Sequence, residues 1–412
     1  MYKTVFSVWS LFLGIALMGV NVGAQNTLLG IRAAIEGFSS IETGWVMSSY
    51  YVGFLLGSIN TVRIINAVGH VRTFAALTAI LSITILLHAI IVDIWVWSAL
   101  RFFSGLAACG IFIVAESWLN QVVTNRQRGA LFAIYFITIS LGMVAGQFLL
   151  RLSGPESFEI FAVVSVIISL AGIPILLTPI QTPTIIEVHR ISPLKLIKLA
   201  PAGALGVMMS GVCLSIIFGL GPVYATRANF SVDQVSLFMT AIIAGSILSQ
   251  WPLGKWSDHH DRRIVTASAA FVATAVAVVS IVIVESDIRV VYFLAFLLGA
   301  TILPLYSLFN AVAMDYVDPK EMVSAGATLI MFNGMGAVVG PLYGSVFMSR
   351  VGSDGFFWAI ASFSLLMCVF CIYRAVFFPI SSGEKAEFHI TAPAAVGSML
   401  EVETDPNAEE KL

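Results

Sequence analysis

The stretch VFSVWSLFLGIALMGVNVGAQNTLL, residues Val5 to Leu29, is an apolar run of 25 residues. Roughly 20 such residues carry a helix across a bilayer. A cleaved signal peptide is the competing reading, and the run fits it badly. It starts too near the first residue, is too long, and has neither a basic leader nor a small-residue cleavage site followed by polar sequence. It reads as a first membrane span.

Composition agrees. Apolar residues make up 58% of the 412, charged residues 11%, and Phe alone contributes 29. A water-soluble domain carries about a quarter of its residues charged. The net charge of −2 excludes a broadly basic nucleic-acid surface. The four cysteines (Cys109, Cys213, Cys368, Cys371) all lie in apolar runs, with no loop pair for a disulfide framework. Cys368 and Cys371 form a CxxC in mid-span without His or acid ligands nearby, which reads as helix packing; neither a metal nor a cofactor is expected.

Cutting at polar and turn residues gives twelve spans, near 5–29, 43–62, 73–92, 95–119, 130–151, 157–178, 201–224, 234–256, 264–284, 288–313, 324–349 and 355–378. Basic residues concentrate on the cytoplasmic side of membrane proteins. With the first residue inside, the inner loops and tails hold 15 of the 21 Lys and Arg, against five outside (Arg32, Arg151, Arg227, Arg289, Arg350). Both termini are therefore expected in the cytoplasm, in a multi-pass plasma (bacterial inner) membrane. The polar stretch Thr182 to Leu199, with Pro183 and Pro193 inside it, divides six helices from six. The expected organisation is a bundle over 1–180, a central cytoplasmic loop over 181–200, a second bundle over 201–378, and a disordered tail over 379–412. That tail carries seven acids and two lysines and cannot bury a core.

The two halves match. A shift of 192 positions pairs Phe38-Ser39 with Phe230-Ser231, Gly53 with Gly245, Arg63 with Lys255 and Asn66 with Asp258. A shift of 194 pairs Gly105 with Gly299, Gly142 with Gly336 and Gly146 with Gly340. Two nearly equal offsets over so much chain indicate an internal duplication, which in transporters brackets the solute site.

The segment Gly254-Lys-Trp-Ser-Asp258-His-His-Asp261-Arg262-Arg263 resembles the GxxxDRxGRR loop motif of major facilitator transporters. The resemblance implies an all-α fold of two pseudo-symmetric six-helix bundles, with this motif on the cytoplasmic side. There a glycine lets two helices approach, the aspartate accepts hydrogen bonds at a helix N-terminus, and the arginines bind across the seam between the halves, closing a gate. The first-half copy keeps Gly69 and Arg72 but has Asn66 in place of the aspartate. Arg101-Phe-Phe-Ser104-Gly105 resembles the family's RxxqG motif, and Gly336-Ala-Val-Val-Gly340-Pro341-Leu-Tyr-Gly344 its GxxxGPxxG pattern. Small residues four apart let helices pack closely in lipid. Span 5 carries Gly142 and Gly146 at the same spacing but Gln147 where the proline would stand, which weakens a reading as a proton antiporter. The wording of span 2, GWVMSSYYVGF, and of the Glu116 region resembles the YcaD-like branch of bacterial facilitators.

A cation within a span marks a functional site by default. Arg101 therefore points to solute or coupling chemistry, and its repeat partner is Ala295, so the fold does not need a cation there. The alternative is an anchor to the outer headgroups. Glu116 is the one acid well inside a span; it is either a proton or cation site, since a buried carboxyl can cycle near neutral pH, or a gate residue pairing with Arg63, Arg72 or Arg128. Asn21 and Gln25 share one face of span 1, and Tyr306 and Asn310 one face of span 10. The resemblance puts helices 1, 4, 7 and 10 around a central cavity, where these side chains would meet; Asn333 and Gln147 are further candidates.

The expected function is secondary active transport of a small organic solute by alternating access, coupled to an ion (proton) gradient. An uncoupled facilitator, a channel and a transporter-like receptor are the alternatives. The chain has no GxxxxGK[ST] nucleotide loop and no convergent catalytic set, so an enzyme is not expected. A channel would favour a ring of like subunits; two unequal fused halves argue for a monomer. The expected partners are the solute, protons and the lipid bilayer. Arg101 favours an anionic or zwitterionic solute and Glu116 a cationic or neutral one, so the residues leave the solute open.

Overall fold

The computed structural model describes residues 9–122, 128–177, 191–283, 287–318 and 321–378. The expected tail and most of the central loop lie outside these residues, as do the side chains of residues 120–130. Among the described residues there is no strand. The helices are α1 Trp9–Ile35, α2 Ser40–Val68, α3 His70–Ile90, α4 Ile94–Val122, α5 Arg128–Leu149, α6 Phe158–Leu177, the short α7 Pro193–Leu199, α8 Pro201–Arg227, α9 Val232–His259, α10 Arg262–Ile283, α11 Ile288–Ile302, α12 Leu305–Met314, α13 Met322–Val351 and α14 Gly355–Phe377. Counting α11 and α12 as one interrupted span, twelve are long and apolar enough to cross a membrane. Side chains such as Leu248, Phe271, Val282 and Phe293 are exposed on their outer faces, as a hydrocarbon surround requires.

Local chemistry repeats between the halves. Ser39 caps α2: its hydroxyl accepts from the Glu42 N–H at 3.2 Å, while its own N–H donates to the Glu42 carboxylate at 2.7 Å. Ser231 and Gln234 build the same reciprocal cap on α9, at 3.3 and 2.8 Å. Packing repeats too. In the first half α2 lies on α4, α1 on α5 and α3 on α6; in the second α9 lies on α11, α8 on α13 and α10 on α14.

Paired glycines make these crossings possible. A methyl group added at Gly53 would fall on the Phe102 carbonyl, and one at Gly105 on that of Tyr50. Their repeat partners behave alike, Gly245 facing the Phe296 carbonyl and Gly299 that of Ile242. Gly142 and Gly146 meet the α1 backbone, as Gly336 and Gly340 meet that of α8. Overpacking of this kind costs about 1–3 kcal/mol. Gly53→Ala or Gly299→Ala should therefore lower the apparent melting temperature in detergent by several degrees. Gly172→Ala, where the added methyl makes only ordinary contacts, should not. Equal melting of all three variants would refute backbone contact as the reason for these glycines.

Two features depart from simple spans. Pro304 has no N–H to donate and interrupts span 10 between α11 and α12. The end of the central connection forms α7, whose buried Leu196 docks it beside α8, and the Ile191 carbonyl accepts from Thr328 Oγ1 at 2.9 Å.

The halves meet along α2 with α13, α5 with α9, and α1 with α8. The chain ends of these helices define two faces, one holding the α1–α2 connection and the other the α2–α3 connection. Among the described residues α4 has no extensive packing with any helix of the second half.

Candidate functional site

A cavity of about 1210 Å³, counted with the open space that joins it, lies between the halves at mid-depth. Both halves line it. Aromatic walls come from Tyr50, Tyr51, Phe54, Phe112, Phe136 and Phe218, and amide groups from Asn26, Gln250 and Asn333. Among the described residues its lining includes no acid, Lys, Arg or His. Of the solute residues named from the sequence, Asn333 is in this lining; Arg101, Glu116, Asn21, Gln25, Tyr306 and Asn310 are buried but not in it.

Arg101 sits behind two of the walls. Its Nη2 donates to Asn26 Oδ1 at 3.0 Å, and its guanidinium carbon lies 4.3 Å from the centre of the Tyr50 ring. Only 1% of the residue is exposed, so the charge is in the protein interior and away from any headgroup region. Its Nε and Nη1 are buried with no hydrogen-bond partner among the described residues. One turn further along α4, Ser104 accepts from Gln25 Nε2 at 3.4 Å and donates to Thr84 Oγ1 at 2.8 Å. The Thr84 carbonyl lies 2.6 Å from His88 Nδ1. Asn21 is fully buried with neither amide atom bonded, and Gln147 Nε2 donates to the Gly23 carbonyl at 2.9 Å.

Glu116 lies on α4 one turn beyond the cavity-lining Phe112, toward the α2–α3 face, and is fully buried. Tyr135 of α5 donates its hydroxyl to Glu116 Oε1 at 2.7 Å. Tyr306 of α12 lies within electrostatic range of the same carboxylate, which puts Glu116 close to the seam. Arg63 and Arg72 are exposed. On the second half, Gln250 Nε2 donates to Ser307 Oγ at 2.8 Å and Asn333 Nδ2 to the Val207 carbonyl at 3.3 Å.

The loop motif lies at the α2–α3 face. Gly254 is buried in α9, and Asp258 pairs with Arg262 at 3.0 Å. Arg262 also reaches Asp315, just beyond α12, at 3.4 Å. Arg263 pairs with Asp261 at 2.9 Å and donates to the carbonyls of Arg374 and Phe378, at 2.9 and 2.6 Å. These contacts tie α9, α10, α12 and α14 together inside the second half. In the first-half copy Gly69, at φ +85°, makes the sharp turn between α2 and α3, a conformation that favours glycine; Asn66 and Arg72 are exposed.

Polar contacts that join the halves sit toward the opposite face. Arg227, at the end of α8, donates to the Phe38 carbonyl at 2.6 Å and to Ser40 Oγ. Arg151 pairs with Asp233 at 2.8 Å, and Ser48 Oγ donates to the Val338 carbonyl at 2.6 Å. Beside these, Gly44 packs against Ser345 and the Pro341 carbonyl. Sequence reading passed over Asn26, Tyr50, Gln250, Tyr135 and this clasp. Gln250, an amide between Leu248 and Trp251 in an apolar span, carried a visible signal; Arg227 and Asp233 read as ordinary loop charges.

The Major Facilitator Superfamily family model matches residues 11–231 and 203–395 of the chain. An uncharacterized MFS-type transporter of Yersinia enterocolitica, YE1530, is 29% identical over 86% of this chain and 92% of its own length. YcaD of Escherichia coli, also an uncharacterized MFS-type transporter, is 28% identical over 89% of this chain and 96% of its own. Among solved structures, that of the nucleoside transporter NupG superposes with a TM-score of 0.75 at 14% identity, covering 89% of this chain and 99% of that one. A bacterial homologue of the human lysosomal transporter Spinster, in an inward-facing and occupied conformation, gives 0.72 at 12% identity, covering 90% and 95%. At those identities the structures speak for the fold alone. The chain is a multi-pass membrane protein with the fold of solute transporters, and it belongs to the major facilitator superfamily, close to YcaD.

Proposed function

We propose that this chain is a proton-coupled secondary transporter that carries a small organic solute across a bacterial inner membrane by alternating access. The observation that carries the reading is a mid-depth cavity shared by both halves, with the polar clasp between the halves on the α1–α2 face. In this reading the α2–α3 face, rich in Lys and Arg, is cytoplasmic, together with both termini. The bundles over 1–180 and 201–378 rock about the cavity, joined by the loop over 181–200. The conformation described is then closed to the outside. The solute, the direction of transport and its coupling are tested together by screening metabolites for thermal stabilisation of the purified protein, then measuring counterflow and uphill uptake of the hits in proteoliposomes. A hit that binds but shows no saturable flux would refute transport; flux indifferent to a pH gradient would refute coupling.

The loop motif is the cytoplasmic gate in this scheme. With the cavity open inward, Arg262 and Arg263 are held within their own half; closing that side would bring the motif against the first half. Asp258→Asn should therefore leave insertion intact, slow transport severalfold, and raise labelling of a cavity reporter, Ser140→Cys, from the cytoplasmic side. Unchanged labelling with full flux would remove the gate role.

A further inference from the structure

We propose that the solute is an uncharged molecule with a flat aromatic body and a polar edge that both donates and accepts hydrogen bonds; this rests on the transport reading above. The cavity wall states both requirements. Its aromatic side is extensive and angled: Tyr50 and Tyr51 stand edge to face, 5.3 Å apart at 89°, and Phe54 tilts against Tyr50 at 6.3 Å. Rings so arranged hold a planar guest by offset stacking and edge contacts.

The polar side is set by what the protein has already used. Arg101 takes the amide oxygen of Asn26, Ser307 the amide nitrogen of Gln250, and the Val207 carbonyl the amide nitrogen of Asn333. What remains for a guest is the Asn26 nitrogen as donor and the Gln250 and Asn333 oxygens as acceptors. These three groups come from α1, α9 and α13, so a guest that satisfies them bridges the halves. Because each amide is oriented by a second partner, the pattern of one donor and two acceptors is fixed before the guest arrives. The complement is a molecule with at least two N–H or O–H donors and one acceptor, as in a carboxamide or a urea-like ring edge.

Charge is disfavoured in both senses. The lining offers no counter-ion, and burying an unpaired charge is costly. The two nearby charges are engaged elsewhere, Glu116 with Tyr135 and Arg101 with Asn26 and Tyr50. A cation would otherwise suit the aromatic walls, but Arg101 already lies against the Tyr50 ring and its positive field opposes a second one.

Indole-3-acetamide, indole-3-acetate and tryptamine share one body and differ in charge, so they separate the classes. Half-maximal thermal stabilisation of the purified full-length protein should need at least tenfold less of the amide than of either charged member. Gln250→Met keeps volume and removes the acceptor. It should raise the half-maximal concentration of the amide about tenfold while leaving that of 3-methylindole, which lacks the polar edge, unchanged. Equal or tighter binding of the acetate or the amine overturns the proposal, as does absence of stabilisation by the amide. Equal weakening of the amide and 3-methylindole in Gln250→Met overturns the assignment of the edge. Binding of the amide without counterflow would leave the solute class standing and remove the transport reading; saturable flux of charged solutes alone would do the reverse.

Discussion

Arg101→Ala is expected to reduce flux per folded molecule at least a hundredfold while leaving folding nearly intact. The guanidinium is buried with two N–H groups lacking partners, so it is costly to the fold rather than needed by it. The equivalent position in the second half, Ala295, is itself buried without a cation. What Arg101 supplies is position: it fixes the Asn26 amide and backs the Tyr50 ring, and both face the cavity. Arg101→Lys tests this more finely. Lysine keeps the charge but loses the planar fork that can donate to an amide and stack on a ring together. It should recover less than a tenth of the flux, with a raised half-saturation for solute. Full recovery by lysine would mean that charge alone matters, and normal flux in the alanine variant would remove Arg101 from the mechanism. Size-exclusion profiles in detergent supply the count of folded molecules.

The second large effect is expected at Glu116. Its carboxylate is fully buried, holds the Tyr135 hydroxyl at 2.7 Å and lies one turn from a cavity wall. Glu116→Gln keeps size and hydrogen bonding and removes the titratable proton. As a proton carrier Glu116 is essential only when a gradient drives accumulation. Uphill uptake should then fall to background, tenfold or more, while counterflow exchange of solute persists within about twofold. Loss of both activities together would make Glu116 a structural or gate partner. Wild-type behaviour in both assays would leave it without a role in transport. Tyr135→Phe provides a graded companion, since it removes the hydroxyl donor and leaves the carboxylate in place.

Much of the fold was legible because a membrane helix announces itself through length and apolarity alone. The span expected over 43–62 lengthens to Ser40–Val68, since the Ser39–Glu42 cap and the Gly69 turn, not hydropathy, set its ends. The duplication read from Gly53, Gly105, Gly245 and Gly299 corresponds to two equivalent backbone contacts, one in each half. The cavity was much less legible. Which face of a helix meets the solute depends on its rotation and on the partner half, and apolar spans carry little pattern to fix either. Arg101 was read as a side chain in the cavity, whereas the structure interposes Asn26 and Tyr50, residues whose types are ordinary in a membrane helix. Arg227 and the Arg151–Asp233 pair gain meaning only once α8 and α9 are laid against the first half.

The central claim is that one cavity opens alternately to two sides, and that the state described is closed at the α1–α2 face. Gly44 and Ser345 pack together in that closure, so Gly44→Cys with Ser345→Cys can lock it in a background where the four native cysteines are replaced by alanine. A Ser140→Cys reporter lines the cavity. Membrane-impermeant thiol reagent is applied to right-side-out and inside-out vesicles, and labelling at position 140 is read by peptide mass. With the pair oxidised, the reporter should react only from the cytoplasmic side; after reduction it should react from both. Labelling from the outside while the lock is closed, or no outside labelling even after reduction, would contradict the account.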